Sequence, residues 1–105
     1  MKRVLYPIPD SVTYLSGEGN YTYCHLLDGK KLLLSRTLSN CLEHYPDFIR
    51  IHRTYAINPN FLDGSRRLSA AAGEVHLAGL WLPVGRRRLS LVFKHVKQLS
   101  ALPDK

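Results

Sequence analysis

Three short segments hold the residues that could do chemistry. Arg86-Arg87-Arg88 sets three guanidiniums in a row ahead of an apolar-periodic stretch. A helix N-terminus already presents partial positive charge, so three cations there are unfavourable until an anion neutralises them. Such a place suits a phosphate, and a guanidinium fixed on a helix can also reach a base edge. The second segment is Phe48-Ile49-Arg50-Ile51-His52-Arg53-Thr54-Tyr55. Alternation puts Arg50 and His52 on one face, and Ile49, Ile51 and Arg53 on the other, while the strand lasts. His52, at a strand end among apolar residues, reads as structural. Arg53, where the strand gives way to a turn, suits a contact residue. The third segment is Gly17-Glu18-Gly19-Asn20-Tyr21. Neither a Gly-Lys-Ser/Thr run nor a helix follows it, so a nucleotide-binding loop is ruled out. Asn20, ending a hairpin loop, can pair bidentately with adenine. A plain turn uses the same Gly and Asn for their tolerance of positive φ, and both readings stay open.

No catalytic constellation assembles. The eight acids are scattered, where a metal-dependent nuclease needs them clustered. The serines lack a nucleophile elbow. His25, His44, His52, His76 and His95 fall on different elements without ligand spacing. Zinc would have to recruit Cys24, His25, Cys41 and His44. Cys24 and His25 are adjacent in a strand and point to opposite faces. Cys41 and His44 alone make two ligands, too few for a structural site. The expectation is no metal and no cofactor, with both thiols buried in a reducing cytoplasm.

Charge narrows the field further. Fifteen Lys and Arg oppose eight Asp and Glu, a net of +7, with Arg outnumbering Lys. A small domain this basic meets something anionic, and the planar Arg fork matches phosphates and guanine edges. The 105 residues are expected to form one domain with one core. The longest apolar runs, such as Leu32 to Leu34, are far shorter than the roughly 20 residues of a membrane span. No signal peptide opens the chain, so the expectation is a cytoplasmic protein with no membrane partner.

The elements that must position these segments read as mainly β with two helices. Val12 to Leu15 is a strand that breaks at Ser16–Asn20. Tyr21 to Leu27 follows, with Tyr21, Tyr23 and His25 on one face and Thr22, Cys24 and Leu26 on the other. Asp28-Gly29 supplies a hairpin turn before Lys31 to Ser35. A short helix comes next, N-capped by Ser35 or Thr37, with Leu38, Cys41, Leu42 and Tyr45 as its buried stripe and Pro46-Asp47 as its stop. Phe48 to Ile51 and Tyr55 to Ile57 read as strands, and Asn60 to Leu62 as a single turn. Asp63 to Leu68 and Glu74 to Leu77 flank a turn at Ala70–Gly73, and Ala78-Gly79 precedes Leu80 to Val84. A final helix runs from about Arg86 to Leu99, its stripe being Leu89, Val92, Phe93, Val96 and Leu99, with Pro103 beyond.

Taken in order, these motifs resemble a known family. Glu18-Gly19-Asn20-Tyr21, Asp28-Gly29, Arg36-Thr37-Leu38, Phe48 to Tyr55, Asn58 and Leu82-Pro83-Val84-Gly85-Arg86-Arg87 are similar to the LytTR (LytR/AlgR-type) DNA-binding domain. That domain is the output module of many bacterial response regulators in two-component systems. The likeness runs from about Asp10 to Val96. It implies a mostly antiparallel β fold and sequence-specific binding of double-stranded DNA, with loops in successive major grooves and bent DNA. It places Asn20, Arg53 and Arg86 at base-contacting positions; Tyr21, Arg87 and Arg88, as their neighbours, are expected to contact phosphates. It also implies transcription regulation, a receiver domain or sensor kinase outside these residues, and pairing of copies on DNA. An excised output module and a free-standing regulator both remain open. The family usually has Ser where this chain has Thr54 and Gly85. Thr54 keeps the hydroxyl and Gly85 loses it, which puts a cap or phosphate hydrogen bond there in doubt. A single-stranded DNA or RNA-binding β domain, using six Tyr and three Phe as stacking platforms, is the alternative. A basic face that meets an acidic protein is the third reading.

Overall fold

A computed structural model describes residues 5–100, with side chains to Gln98. The Leu99 side chain and Pro103, invoked above for the last helix, lie outside the described residues. Eight strands form two antiparallel sheets. Strands β1 (Val12–Glu18), β2 (Tyr21–Leu26), β3 (Lys31–Leu34), β4 (Ile49–Arg50) and β5 (Tyr55–Ile57) make a five-stranded sheet in the order β3-β2-β1-β5-β4. Strands β6 (Gly64–Ser69), β7 (Ala72–Leu77) and β8 (Leu80–Val84) make a three-stranded meander. Helix α1 (Leu38–Leu42) and helix α2 (Leu89–Ser100) complete the domain.

Strands β1 and β5 of the large sheet feed two cores, because successive side chains leave opposite faces. In β5, Ala56 faces one way while Tyr55 and Ile57 face the other. The first face carries Val12, Leu15, Cys24 and Ala56 onto Leu38, Cys41 and Tyr45 from α1 and its C-terminal turn. The second carries Tyr14 and Ile57 onto Val75, Leu77, Leu82 and Val84 of the small sheet and onto Leu89 and Val92 of α2. The molecule is therefore layered as α1, large sheet, then small sheet with α2. Thr37 caps α1, its side chain accepting from the Asn40 N–H at 3.2 Å. The Asn58 side chain, 3 % exposed, donates to the carbonyls of Pro9 and Val12 and so ties the N-terminal segment to the end of β5.

Four expectations are corrected. β1 does not break at Ser16 but continues through Glu18, leaving only Gly19-Asn20 as the turn, with Gly19 at φ 61°. Gly17 is a strand residue whose missing side chain admits Leu38: a Cβ there would stand 3.1 Å from the Leu38 Cβ. The Ala70–Gly73 turn shrinks to Ala70-Ala71 because β7 begins at Ala72. Gly73 lies in that strand, where a Cβ would meet the Phe93 ring at 2.7 Å and Leu89 at 2.9 Å. In both places glycine marks a helix pressed against a strand, not a turn. Ile49–Arg50 is the whole of β4, so alternation never reaches Arg53. Finally, α2 starts at Leu89, and Arg86–Arg88 form a separate 3-10 turn ahead of it.

Candidate nucleic-acid interface

Three turns come together at one end of the large sheet. Residues Glu18 and Tyr21 close the β1–β2 hairpin there, pairing across Gly19-Asn20. Ser16 of β1 pairs with Tyr55 at the start of β5, and the Gly17 N–H donates to the Thr54 carbonyl at 2.8 Å. The His52–Thr54 turn between β4 and β5 thus sits beside the hairpin tip. Backbone bonding also fixes the third turn, since the Gly85 N–H donates to the Ile51 carbonyl at 2.6 Å. The 3-10 turn of Arg86–Arg88 is stitched in this way to the base of the His52–Thr54 turn.

The result is a cleft of about 220 Å³ lined by His52, Arg53, Gly85, Arg86, Arg87 and Arg88. Segments more than thirty positions apart in sequence supply its two walls. Arg53, Arg86 and Arg87 are exposed and Arg88 is half-buried. Among the described residues the carboxylates in contact with a basic side chain are Glu74, paired with Arg66, and Asp63, bonded to the His76 ring, so none of these four guanidiniums is matched by a carboxylate. Their mutual repulsion leaves the cleft suited to an anion.

Of the six residues expected at the interface, the structure gathers Arg53, Arg86, Arg87 and Arg88 into one cleft. Asn20 and Tyr21 stay outside it, on the neighbouring hairpin at the same end of the sheet. Both are exposed, Tyr21 by 50 %. The arginines do not sit on free helical amides, as a helix starting at Arg86 would have provided: the N–H groups of Arg88 and Leu89 are spent on the carbonyls of Gly85 and Arg86 inside the 3-10 turn. Charge and shape, more than free helical amides, define the seat. Gly85 provides no side-chain cap, as its missing hydroxyl implied.

His52 holds its turn together. Its Nδ1 accepts from the Thr54 N–H at 3.1 Å and lies 3.0 Å from the Thr54 hydroxyl. Burial, then the charges of Arg53 and Arg88, lower its pKa from the ordinary value, which keeps the ring neutral and Nδ1 free to accept. The structural reading of His52 agrees with this geometry, although the ring also lines the cleft.

Two residues that the sequence reading named without giving them a role also belong to this end. Arg36, exposed, lies at the same end, because β3 finishes opposite Thr22 and the Thr22 hydroxyl donates to the Arg36 carbonyl at 2.8 Å. Arg50 is half-buried beneath the His52–Thr54 turn and binds two of its carbonyls. Only the turn at the end of β3 could have flagged Arg36, and nothing in residue type flags the backbone partners of Arg50. Among the described residues, no group of three or more His, Cys, Asp or Glu is placed to hold a metal ion, and no helix is long and apolar enough to cross a membrane.

This architecture has a counterpart among solved structures. The chain superimposes on the LytTr DNA-binding domain of a protein from Bacillus cereus described as a methyl-accepting/DNA response regulator, with a TM-score of 0.73. Identity is 19 %, over 90 % of this chain and 94 % of that one. No curated protein matches the sequence. The sequence model of the LytTr DNA-binding domain matches residues 2–97. That match covers nearly the whole chain, and this protein belongs to the LytTR family of DNA-binding domains.

Proposed function

We propose that this DNA-binding domain reads double-stranded DNA in a sequence-specific way and regulates transcription through the basic end of its large sheet. One observation carries the reading: the cleft that joins Arg53 to Arg86–Arg88 across distant segments, with no carboxylate among the described residues paired to any of the four. Arg53 and Arg86 read base edges, and Asn20 on the adjacent hairpin reads a second position, each turn entering a major groove. Arg87, Arg88 and Tyr21 hold phosphates. Phosphate contacts fix register and supply salt-sensitive affinity, while base contacts supply choice. Two copies on paired sites, and control by a receiver domain and its kinase, belong to the same reading.

The test is fluorescence anisotropy against duplex DNA, single-stranded DNA and RNA at several salt concentrations, followed by selection from random duplexes. The expected result is tight, salt-dependent duplex binding that enriches one motif. A preference for single strands or RNA would replace this reading with the stacking-platform alternative. Absence of nucleic-acid binding at low salt would assign the basic end to an acidic protein.

A further inference from the structure

We propose that Arg50 is a positioning residue for base recognition, a carbonyl clamp that fixes the turn carrying Arg53. The inference rests on the reading of Arg53 given above and extends it to a residue that reaches DNA only through its neighbour.

The geometry is specific. Arg50 Nε donates to the His52 carbonyl at 3.2 Å, and Nη2 donates to the Arg53 carbonyl at 2.5 Å. Nη1 donates to the Ser39 hydroxyl of α1 at 2.9 Å. All three guanidinium nitrogens are engaged, two of them on successive carbonyls of the turn. These carbonyls belong to a connection between two strands of only two and three residues. Backbone bonding gives the His52 carbonyl only the Tyr55 N–H at 3.4 Å and gives the Arg53 carbonyl no donor among the described residues, and a planar fork with fixed donor directions suits two adjacent acceptors. The third bond anchors the fork on α1, so the turn is referenced to the helix on the far face of the sheet. Arg53 then leaves a backbone held at its own carbonyl.

Energetics points the same way. Arg50 is half-buried and makes no ion pair among the described residues. Burial and the nearby charge of Arg88 lower its pKa from the usual guanidinium value, which marks the charge as costly where it stands. A methionine or leucine would pack there without that cost, but would leave the Arg53 carbonyl unbound and the His52 carbonyl with only the long bond from the Tyr55 N–H at 3.4 Å. Charge-assisted hydrogen bonds to backbone are among the stronger kind, and holding a reading group in place matters more to selectivity than to gross affinity.

Lysine tests the clamp, because it keeps the charge and the stem but lacks the fork. Arg50→Lys, Arg53→Ala and the double variant are measured on the selected duplex and on a duplex changed at the base pair that Arg53→Ala ceases to discriminate. Arg50→Lys should lower that discrimination about tenfold, the equivalent of one charge-assisted hydrogen bond. Its salt slope should be unchanged, and the double variant should discriminate no worse than Arg53→Ala alone. In the free protein, amide exchange at Thr54 and Tyr55 should quicken while exchange in β1 and β2 stays as it was. Retained discrimination with unchanged exchange would overturn the proposal. So would an equal loss on every duplex with a salt slope lower by about one, which would make Arg50 a direct phosphate ligand. Additive losses in the double variant would also overturn it. If Arg53→Ala discriminates as well as the parent, the reading of Arg53 fails instead. The exchange result then decides by itself whether Arg50 holds the turn.

Discussion

Arg66-Arg67 and Arg86-Arg87-Arg88 look alike in sequence, yet their surroundings differ completely. On the small sheet, Arg66 pairs with Glu74 at 2.7 Å and lies 4.0 Å over the Trp81 ring. Arg67 lies 5.6 Å over the Phe93 ring of α2. His76 and Asp63 form a second pair on that sheet. At the end of the large sheet, Arg53 and Arg86–Arg88 have neither carboxylate nor ring partner among the described residues. A cation with a partner is already occupied in the folded chain. Four gathered without one leave repulsion that only a bound anion relieves. The difference separates arginines with partners in the fold from those we propose for DNA, and each of the following changes tests it.

Removing both arginines proposed to read bases should have the largest effect. Arg53→Ala combined with Arg86→Ala should weaken cognate binding by roughly 2–6 kcal/mol, about 1–3 for each contact, and flatten the preference for the selected motif. Titration against cognate and scrambled duplexes measures both quantities. Arg66→Ala is the control, expected to leave cognate affinity within about twofold while losing up to about 1 kcal/mol of stability with the ring contact and an exposed ion pair. If Arg66→Ala weakened DNA as much as Arg86→Ala, the division between the two sheets would fail.

The small sheet should respond to packing instead. Gly73→Ala places a Cβ where Phe93 and Leu89 now stand, and overpacking of this kind costs about 1–3 kcal/mol. Urea denaturation should show the loss. A variant as stable as the parent would mean that α2 rides loosely on the meander and that Gly73 is no packing constraint. Between these effects lies Arg87→Ala, which should weaken all duplexes alike and lower the salt slope by about one unit. A change in base preference there would exchange the roles of Arg86 and Arg87.

What was legible follows from how local each cause is. The alternation of Thr22, Cys24 and Leu26, the Thr37 cap and the burial of Leu38, Cys41 and Tyr45 all depend on neighbours within a few residues, and the structure has them, although the helix stops at Leu42 and Tyr45 is buried from the turn beyond it rather than from a helical stripe running to Pro46. The ordered motifs identified the family. Gly17 and Gly73 misled because a glycine that admits a helix is written like a glycine that makes a turn, and the helices pressing on them come from elsewhere in the chain. The cleft was half legible. Arg53 and Arg86–Arg88 stood out separately, but the bond from Gly85 to Ile51 that unites them joins two backbones and leaves no trace in residue type. The same reason hid the role of Arg50, whose turn partners are carbonyls any residue would offer.

A smaller effect concerns pH. His52 is held below its ordinary pKa of 6.5 by burial, Arg53 and Arg88, and His25 by burial and Lys31. Each folded pKa lies below the unfolded one, so the unfolded chain takes up protons first as pH falls. The stability from these rings is therefore complete above the unfolded value and is lost as pH drops through the folded one. Urea midpoints at about pH 7.5 and pH 5.5 should differ in that direction, and His52→Asn should narrow the gap. Equal midpoints in the parent would mean that neither ring is held neutral by folding.

The smallest expected effect sharpens the comparison at the floor of the cleft. Gly85 has φ −62° and ψ 142°, ordinary extended backbone, and a Cβ there would meet His52 Cα and the Ile51 carbonyl at 3.6 Å, normal contact distances. Nothing in the free fold requires glycine. Gly85→Ser places a hydroxyl at the N-cap of the Arg86–Arg88 turn, which should add a few tenths of a kcal/mol to stability. If the walls of the cleft do the binding, affinity for the selected duplex should stay within about twofold. A loss of tenfold or more in a variant that is no less stable would instead mean that a phosphate or base edge approaches the Gly85 backbone too closely for a side chain. The bare floor would then be part of the recognition surface, alongside the four unpartnered arginines.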